Sequence, residues 1–430
     1  MLSLRSRRLV APSLQMGAGL VVFGIAGYVF VALTGRTLPK AEANLALAFY
    51  FVVNVAGPGV FAALEQVASR STSRALAAGR PVGPELRKVL RAGAILVAVV
   101  TGLLVLLAPV LVGATLHGDW VVFAAVLTTP ALNGALHLVR GQLAGSRRFG
   151  GYSAVLAIEG AARMVLCLGL AVAGADHAWV YAAAYQISTV VAVLAGLAWL
   201  RARRPAEPVE PVEPTAEDTT IGRSLAALSV ATLFAQLLPN IAPLAVTSRL
   251  AEDSAVALAF GQAAVIARIP VLLFFPVLTM LLPSLTAAVT RGDLALFARR
   301  MRLLLAGIVG AGIPGVALFV AIGPWVLRTF LATPQPPDTG IMLLLGTSTV
   351  VLIAAYAVQP ALVALGRDRV VTVGWVVGSV VTLGLALLLP DAVTAAAIGQ
   401  LLGPGLTLLI VLHGLLRELR SDSRPAVATR

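Results

Sequence analysis

The chain has 430 residues, 59% of them apolar and only 12% charged, against about 25% charged in ordinary soluble domains. So few charges cannot cover a soluble surface. With a mean hydropathy of +0.94 and apolar runs of about 20 residues recurring from end to end, the chain reads as an all-α polytopic membrane protein. Soluble-enzyme, disordered, coiled-coil and disulfide-scaffold classes are excluded. The net charge of +13 does not signal nucleic acid, because its placement follows membrane topology.

In chain order, the apolar windows predict spans near 13–34, 44–65, 92–113, 120–139, 152–173, 179–200, 224–246, 255–284, 303–323, 341–364, 370–389 and 392–415. The basic start, Arg5, Arg7 and Arg8, precedes an apolar run too long for the core of a signal peptide, so the first span is expected to remain. Of the 32 lysines and arginines, 26 fall in the two termini and the connections after spans 2, 4, 6, 8 and 10. The opposite connections carry Arg36, Lys40, Arg249 and Arg328, and Arg163 and Arg268 lie inside spans. Positive loops stay cytoplasmic, which places both termini there.

The longest connection reads RARRPAEPVEPVEPTAEDTTIGR, with no apolar periodicity, and predicts an extended, semi-rigid linker. The expected organisation is an N-terminal six-helix bundle at 1–200, a Pro/Glu-rich cytoplasmic linker at 201–223, a C-terminal six-helix bundle at 224–416 and a basic cytoplasmic tail at 417–430. Faint internal similarity relates the halves: Leu168-Gly169-Leu170-Ala171 recurs as Leu383-Gly384-Leu385-Ala386, Pro109 matches Pro324, and Arg87 matches Arg302. Two such bundles with a site between them is a transporter solution.

A charge at the bilayer centre costs about 2.5 kcal/mol or more, so an arginine there calls for a cavity or a partner. Arg268 lies about 20 Å into span 8 and Arg163 at similar depth in span 5, counted at 1.5 Å per residue. Arg163 has Glu159 one turn earlier; the two are further candidates for lining a substrate path shared with Arg268, and the alternative is that such a pair neutralises itself as a packing feature. A guanidinium suits bidentate recognition of phosphate or pyrophosphate, whereas a cation site requires carboxylates. Gln236 and Asn240 are weaker polar candidates, Asn240 lying between Pro239 and Pro243. Gln15, Asn54, Asn133, His137, Gln186, Gln262, Tyr356 and Gln359 read as interhelical hydrogen-bonding groups. Prolines free backbone carbonyls, so Pro58, Pro239 and Pro270 mark candidate bends, either gates or tolerated kinks.

Cys167 stands alone in an apolar run, and the four histidines share no ligand spacing, so no disulfide, metal or other cofactor is expected. There is no GxxxxGK[ST] phosphate-binding sequence, and no long external loop of the kind that membrane glycosyltransferases carry. The chain is not expected to be an enzyme.

Two stretches carry a resemblance. One is QLLPNIAP at 236–243 followed by GQAAVIARIPVLLFFPVLTMLLPSLTAAVTRGD at 261–293; the other is ALVALGRDRVVTVGWVVG at 361–378, with Gly366, Arg367 and Gly374-Trp375. They resemble the seventh-to-eighth spans and the tenth-to-eleventh connection of the multidrug/oligosaccharidyl-lipid/polysaccharide (MOP) flippase superfamily, on its polysaccharide-biosynthesis branch. The resemblance implies a V-shaped pair of six-helix bundles in a bacterial plasma membrane that carries an undecaprenyl-pyrophosphate-linked oligosaccharide to the outer leaflet by alternating access. It further implies Arg268 as a cavity cation. Expected partners are the lipid-linked sugar, membrane lipids, and glycosyltransferases or a polymerase of the same pathway. A multidrug or cation antiporter of the same fold is the alternative, for which the spans offer only Glu159 and, at a helix end, Glu65; a non-transporting scaffold is the third reading.

Overall fold

The computed structural model describes residues 4–202, 221–274 and 294–421. Among the described residues the regular structure is helical throughout, with no strand. Twelve stretches are long and apolar enough to cross a membrane, and the chain is a multi-pass membrane protein. Helices are the elements that satisfy their own backbone hydrogen bonds inside lipid.

The helices are α1 (Leu4–Thr37), α2 (Lys40–Asn54), α3 (Val60–Ala77), α4 (Val82–Leu106), α5 (Trp120–Gly145), α6 (Phe149–Val172) and α7 (Ala178–Arg201). They continue with α8 (Ile221–Arg249), α9 (Ala255–Ala267), α10 (Leu294–Phe330), α11 (Thr339–Ala364), α12 (Asp368–Leu388) and α13 (Ala392–Ser421). Several outrun the apolar windows. Span 9, expected at 303–323, is the 37-residue α10, because Arg299, Arg300 and Arg302 end the hydropathy signal while remaining good helix formers. Span 4, expected to stop at 139, runs to Gly145 and takes Arg140 out of the connection and into the helix. Span 2 continues past Glu65 to Ala77, so Glu65 is not at a helix end.

Prolines act differently in different spans. In span 2, Pro58 sits in a five-residue π turn, Val55–Gly59, that joins α2 to α3 without ending the span. A proline cannot donate to the ladder and its ring crowds the carbonyl four residues back, which is relieved by letting the ladder slip one residue. In span 8, α9 stops at Ala267 and helix resumes over 269–274. By contrast α8 runs unbroken through Pro239 and Pro243. Pro276 and the Leu281–Leu285 motif lie outside the described residues, as does most of the 201–223 linker.

The chain divides into two compact units. The first comprises Met1–Asn240, Thr247–Leu258 and Phe330–Thr333; the second comprises Ile241–Val246, Ala259–Thr329 and Pro334–Arg430. In the first unit α6 packs along α1 and α7, and α5 packs along α3 and α7. Gly141 and Gly145, one turn apart, let α5 approach α3 closely: a Cβ at Gly141 would stand 2.6 Å from the Glu65 carbonyl oxygen, and one at Gly145 2.5 Å from that of Ser69. Small residues at this spacing are a membrane-helix packing device. The same unit holds the α8–α9 turn through Asn44, whose amide donates to the carbonyls of Glu252 (2.8 Å) and Ser254 (3.0 Å).

In the second unit α13 packs on both α11 and α12. Thr382 and Thr407 donate across the α12–α13 contact to the carbonyls of Gly399 and Gly374, interhelical bonds of the kind that lipid favours. Only 6% of the most apolar window of α10 is buried by protein, as expected for a helix facing acyl chains.

Candidate functional site

The first unit concentrates the charged groups. Glu159 on α6 is 4% exposed and accepts from two arginines. Arg163 Nη2, one turn along α6, donates to Oε1 at 2.9 Å, and Arg140 Nη2 on α5 donates to Oε2. Arg163, 2% exposed, also donates through Nε to Ser188 on α7 at 3.4 Å. Its guanidinium lies 3.5 Å from the centre of the Tyr185 ring and 5.3 Å from that of Phe23. Sandwiching a guanidinium between aromatic faces while a carboxylate holds its edge is how a buried arginine keeps its charge away from water. Gly160 makes the arrangement possible on the α1 side, since a Cβ there would come within 2.9 Å of the Phe23 Cα.

A second polar group adjoins the first. Glu65 on α3 receives the Tyr152 hydroxyl of α6 on Oε1 at 2.7 Å and meets His137 Nδ1 of α5 with Oε2 at 2.8 Å. Arg140, one turn beyond His137 on α5, acts electrostatically on Glu65 while bonding Glu159. Four helical segments, α3, α5, α6 and α7, are therefore tied by one network. Sequence reasoning found Glu159, Arg163 and His137 but placed Arg140 in a connection and Glu65 at a helix end. The Gly141-x-x-x-Gly145 pattern was the available signal that the helix continues past Arg140.

The Pro58 turn gathers other expected residues. A Cβ at Gly57 would touch the Asn133 amide at 2.8 Å, and one at Gly59 would stand 3.1 Å from the Gln236 Cβ. Asn133 and Gln236 therefore seat directly on the π turn. Asn240, 2% exposed, donates to the Gln236 carbonyl at 2.6 Å along its own helix, and Pro239 is buried beside it.

Arg268 belongs to the second unit. It occupies the break itself: its N–H bonds the Val265 carbonyl at 3.1 Å, and its carbonyl takes the Val271 N–H at 3.0 Å. These three-residue steps are the tight turn that Pro270 imposes two residues on. Arg268 lies within electrostatic range of Tyr356 on α11. The Tyr356 ring lies 5.0 Å from that of Trp375, and Trp375 Nε1 donates to Gln359 Oε1 at 3.1 Å. An arginine at an interrupted membrane helix, near a tyrosine, an amide and an indole, is a set of groups suited to an amphipathic ligand.

No protein-family model matches the chain, and no curated protein matches it. Solved structures do. A multidrug resistance MATE family transporter of the MOP superfamily in an inward-facing conformation aligns over 95% of this chain and 96% of its own, with a TM-score of 0.73 at 15% identity. A transporter of the same description in an outward-facing conformation aligns over 97% and 96%, with a TM-score of 0.63 at 14% identity. A mutant MATE transporter of Vibrio cholerae aligns over 97% of both chains, with a TM-score of 0.64 at 17% identity. End to end, the chain has the fold of these MATE transporters.

Proposed function

We propose that the chain is a secondary transporter that carries an amphipathic substrate across a bacterial plasma membrane by alternating access. The supporting observation is the full-length likeness of its fold to MATE transporters seen both inward- and outward-facing. A transporter of this kind shifts between two conformations that differ in which side can reach the substrate, and the substrate moves because it binds both. Likeness to multidrug transporters favours a small amphipathic drug or cation as cargo. Arg268, at the broken helix, is the substrate-contacting residue in this reading, with Tyr356 in its electrostatic range.

A second cargo, a polyprenyl-pyrophosphate-linked oligosaccharide, is favoured by one observation. Among the described residues two buried arginines, Arg140 and Arg163, stand against one buried carboxylate, Glu159, and Arg268 adds a further cation at the helix break. A cation surplus in a low-dielectric interior favours an anionic head group over a cationic one. In that reading membrane lipids and the glycosyltransferases or polymerase of a polysaccharide pathway are the working partners.

Two assays on the purified chain in proteoliposomes separate the readings: efflux of ethidium, and leaflet translocation of a fluorescent undecaprenyl-pyrophosphate glycolipid. Ethidium movement supports the drug-transport reading and glycolipid movement the polysaccharide reading. Movement of neither under an imposed potential or ion gradient removes the transport proposal.

A further inference from the structure

We infer that α4 and α10 each hold an anionic phospholipid, its phosphate bound by a pair of arginines, Arg87 with Arg91 on α4 and Arg299 with Arg302 on α10, and its acyl chains lying along the exposed face of the same helix. The inference concerns the lipid around the protein and does not depend on what the chain carries.

Cover by protein singles out these two helices. Protein buries 22% of the most apolar window of α4 and 6% of that of α10, against 33% to 72% in the other ten spans. Both therefore have acyl chains as their main neighbours. They are the third and ninth spans, equivalent places in the faint sequence repeat, in which Arg87 matches Arg302. Arg87 is the sixth residue of α4 and Arg91 the tenth; Arg299 is the sixth of α10 and Arg302 the ninth. The apolar windows begin at 92 and at 303. Arg91 and Arg302 immediately precede them, and Arg87 and Arg299 stand one turn further out, which is the level of lipid headgroups.

The four arginines lack a counter-charge from the protein. All are exposed, and among the described residues none of their side chains has an ion-pair or hydrogen-bond partner. Arginines elsewhere find one: Arg148 donates to the carbonyls of Trp199, Leu200 and Ala202, and Arg367 pairs with Glu418. Like charges one turn apart on a helix repel. Relief from nearby acids is absent or already engaged, since α10 has no carboxylate and the one on α4, Glu85, pairs with Lys88 at 3.1 Å. A phosphodiester between two guanidiniums removes the repulsion and accepts charge-assisted hydrogen bonds from both.

Beyond the arginines the same faces are apolar and open. Ile95 and Leu106 on α4 are 66% and 73% exposed, and Val309 and Ile313 on α10 are 53% and 69% exposed. On each helix these residues fall within about 100° of arc with their arginines, at 3.6 residues per turn. A glycine in each sector, Gly102 and Gly310, has open space where a Cβ would stand, which dents the surface. Paired cations at headgroup level, followed by an open apolar face, match a molecule with an anionic head and hydrocarbon tails. A free phosphate would use only the first part.

The test is a lipid titration of the purified full chain in detergent, with bound lipids counted by native mass spectrometry. Phosphatidylglycerol and phosphatidylcholine with the same acyl chains are the probes. Wild type should retain two phosphatidylglycerols in preference to phosphatidylcholine. Arg87→Gln with Arg91→Gln should remove one of the two, and Arg299→Gln with Arg302→Gln the other, each site weakening roughly twenty-five-fold at about five-fold per cation. Lys40→Gln with Arg328→Gln, an equal loss of charge away from both pairs, should keep both lipids. If a double variant is not monodisperse, Arg91→Gln or Arg302→Gln is measured alone, with about five-fold weakening expected. Full retention of phosphatidylglycerol by the folded variants of either pair, or equal retention of phosphatidylcholine by wild type, overturns the sites. Loss of both lipids in the Lys40 and Arg328 variant overturns them too, because net charge alone would then explain binding. Displacement of phosphatidylglycerol by inorganic phosphate overturns the lipid as occupant, since the tails would then contribute nothing.

Discussion

The two units handle intramembrane charge in opposite ways. In the first, Arg163 and Arg140 share the Glu159 carboxylate within a regular bundle, closed over by Tyr185 and Phe23. In the second, Arg268 occupies a helix break, and the described carboxylates of that unit, Asp338, Asp368, Asp391 and Glu418, sit in the terminal turns of helices or just outside them. The first arrangement spends its charges on holding helices together. The second keeps a charge where the backbone is already irregular, the kind of place where transporters bind substrate. Destabilisation should therefore follow mutations in the first network, and loss of transport without destabilisation should follow mutation at the break.

The largest effect on stability is expected from Glu159→Gln. It leaves two arginines buried without their shared acceptor, and breaking a buried pair on one side costs about 3–5 kcal/mol. Denaturation of the purified protein followed by SDS titration should show it. Next is Gly141→Leu, which forces a side chain against the Glu65 backbone at the α3–α5 contact; overpacking of this kind costs about 1–3 kcal/mol. The same titration reads it.

The expected spans were legible because lipid imposes one simple rule, a long apolar run per crossing, and all twelve have a counterpart in the structure. Helix ends were not, since hydropathy stops at the first arginine while the helix does not, as at Arg299 in α10. Arg140 was hidden for that reason: next to Arg147 and Arg148 it looked like a loop cation. The pairing of Arg163 with Glu159 was readable from their spacing on one helix. Its completion by Arg140, and the joining of Glu65 to His137 and Tyr152, depend on which helices pack together, and spacing within single helices does not record that. The Pro270 break was visible, whereas Pro239 gave no such signal of being absorbed into a continuous helix.

Smaller in stability, and sharpest for function, are changes at the break. Pro270→Ala restores a hydrogen-bond donor where α9 is interrupted, and should leave the protein within about 1 kcal/mol of wild type while slowing transport several-fold in the proteoliposome assays. Arg268→Lys keeps the charge and loses the planar fork, and should retain a part of the wild-type rate for an anionic cargo.

The most direct measurement of the account is cargo movement by Arg268→Ala against wild type in proteoliposomes matched for inserted protein and for SDS stability. The account predicts at least a ten-fold loss of transport of whichever cargo the wild type moves, with stability unchanged within about 1 kcal/mol. Transport at the full wild-type rate by a stable Arg268→Ala protein would contradict it.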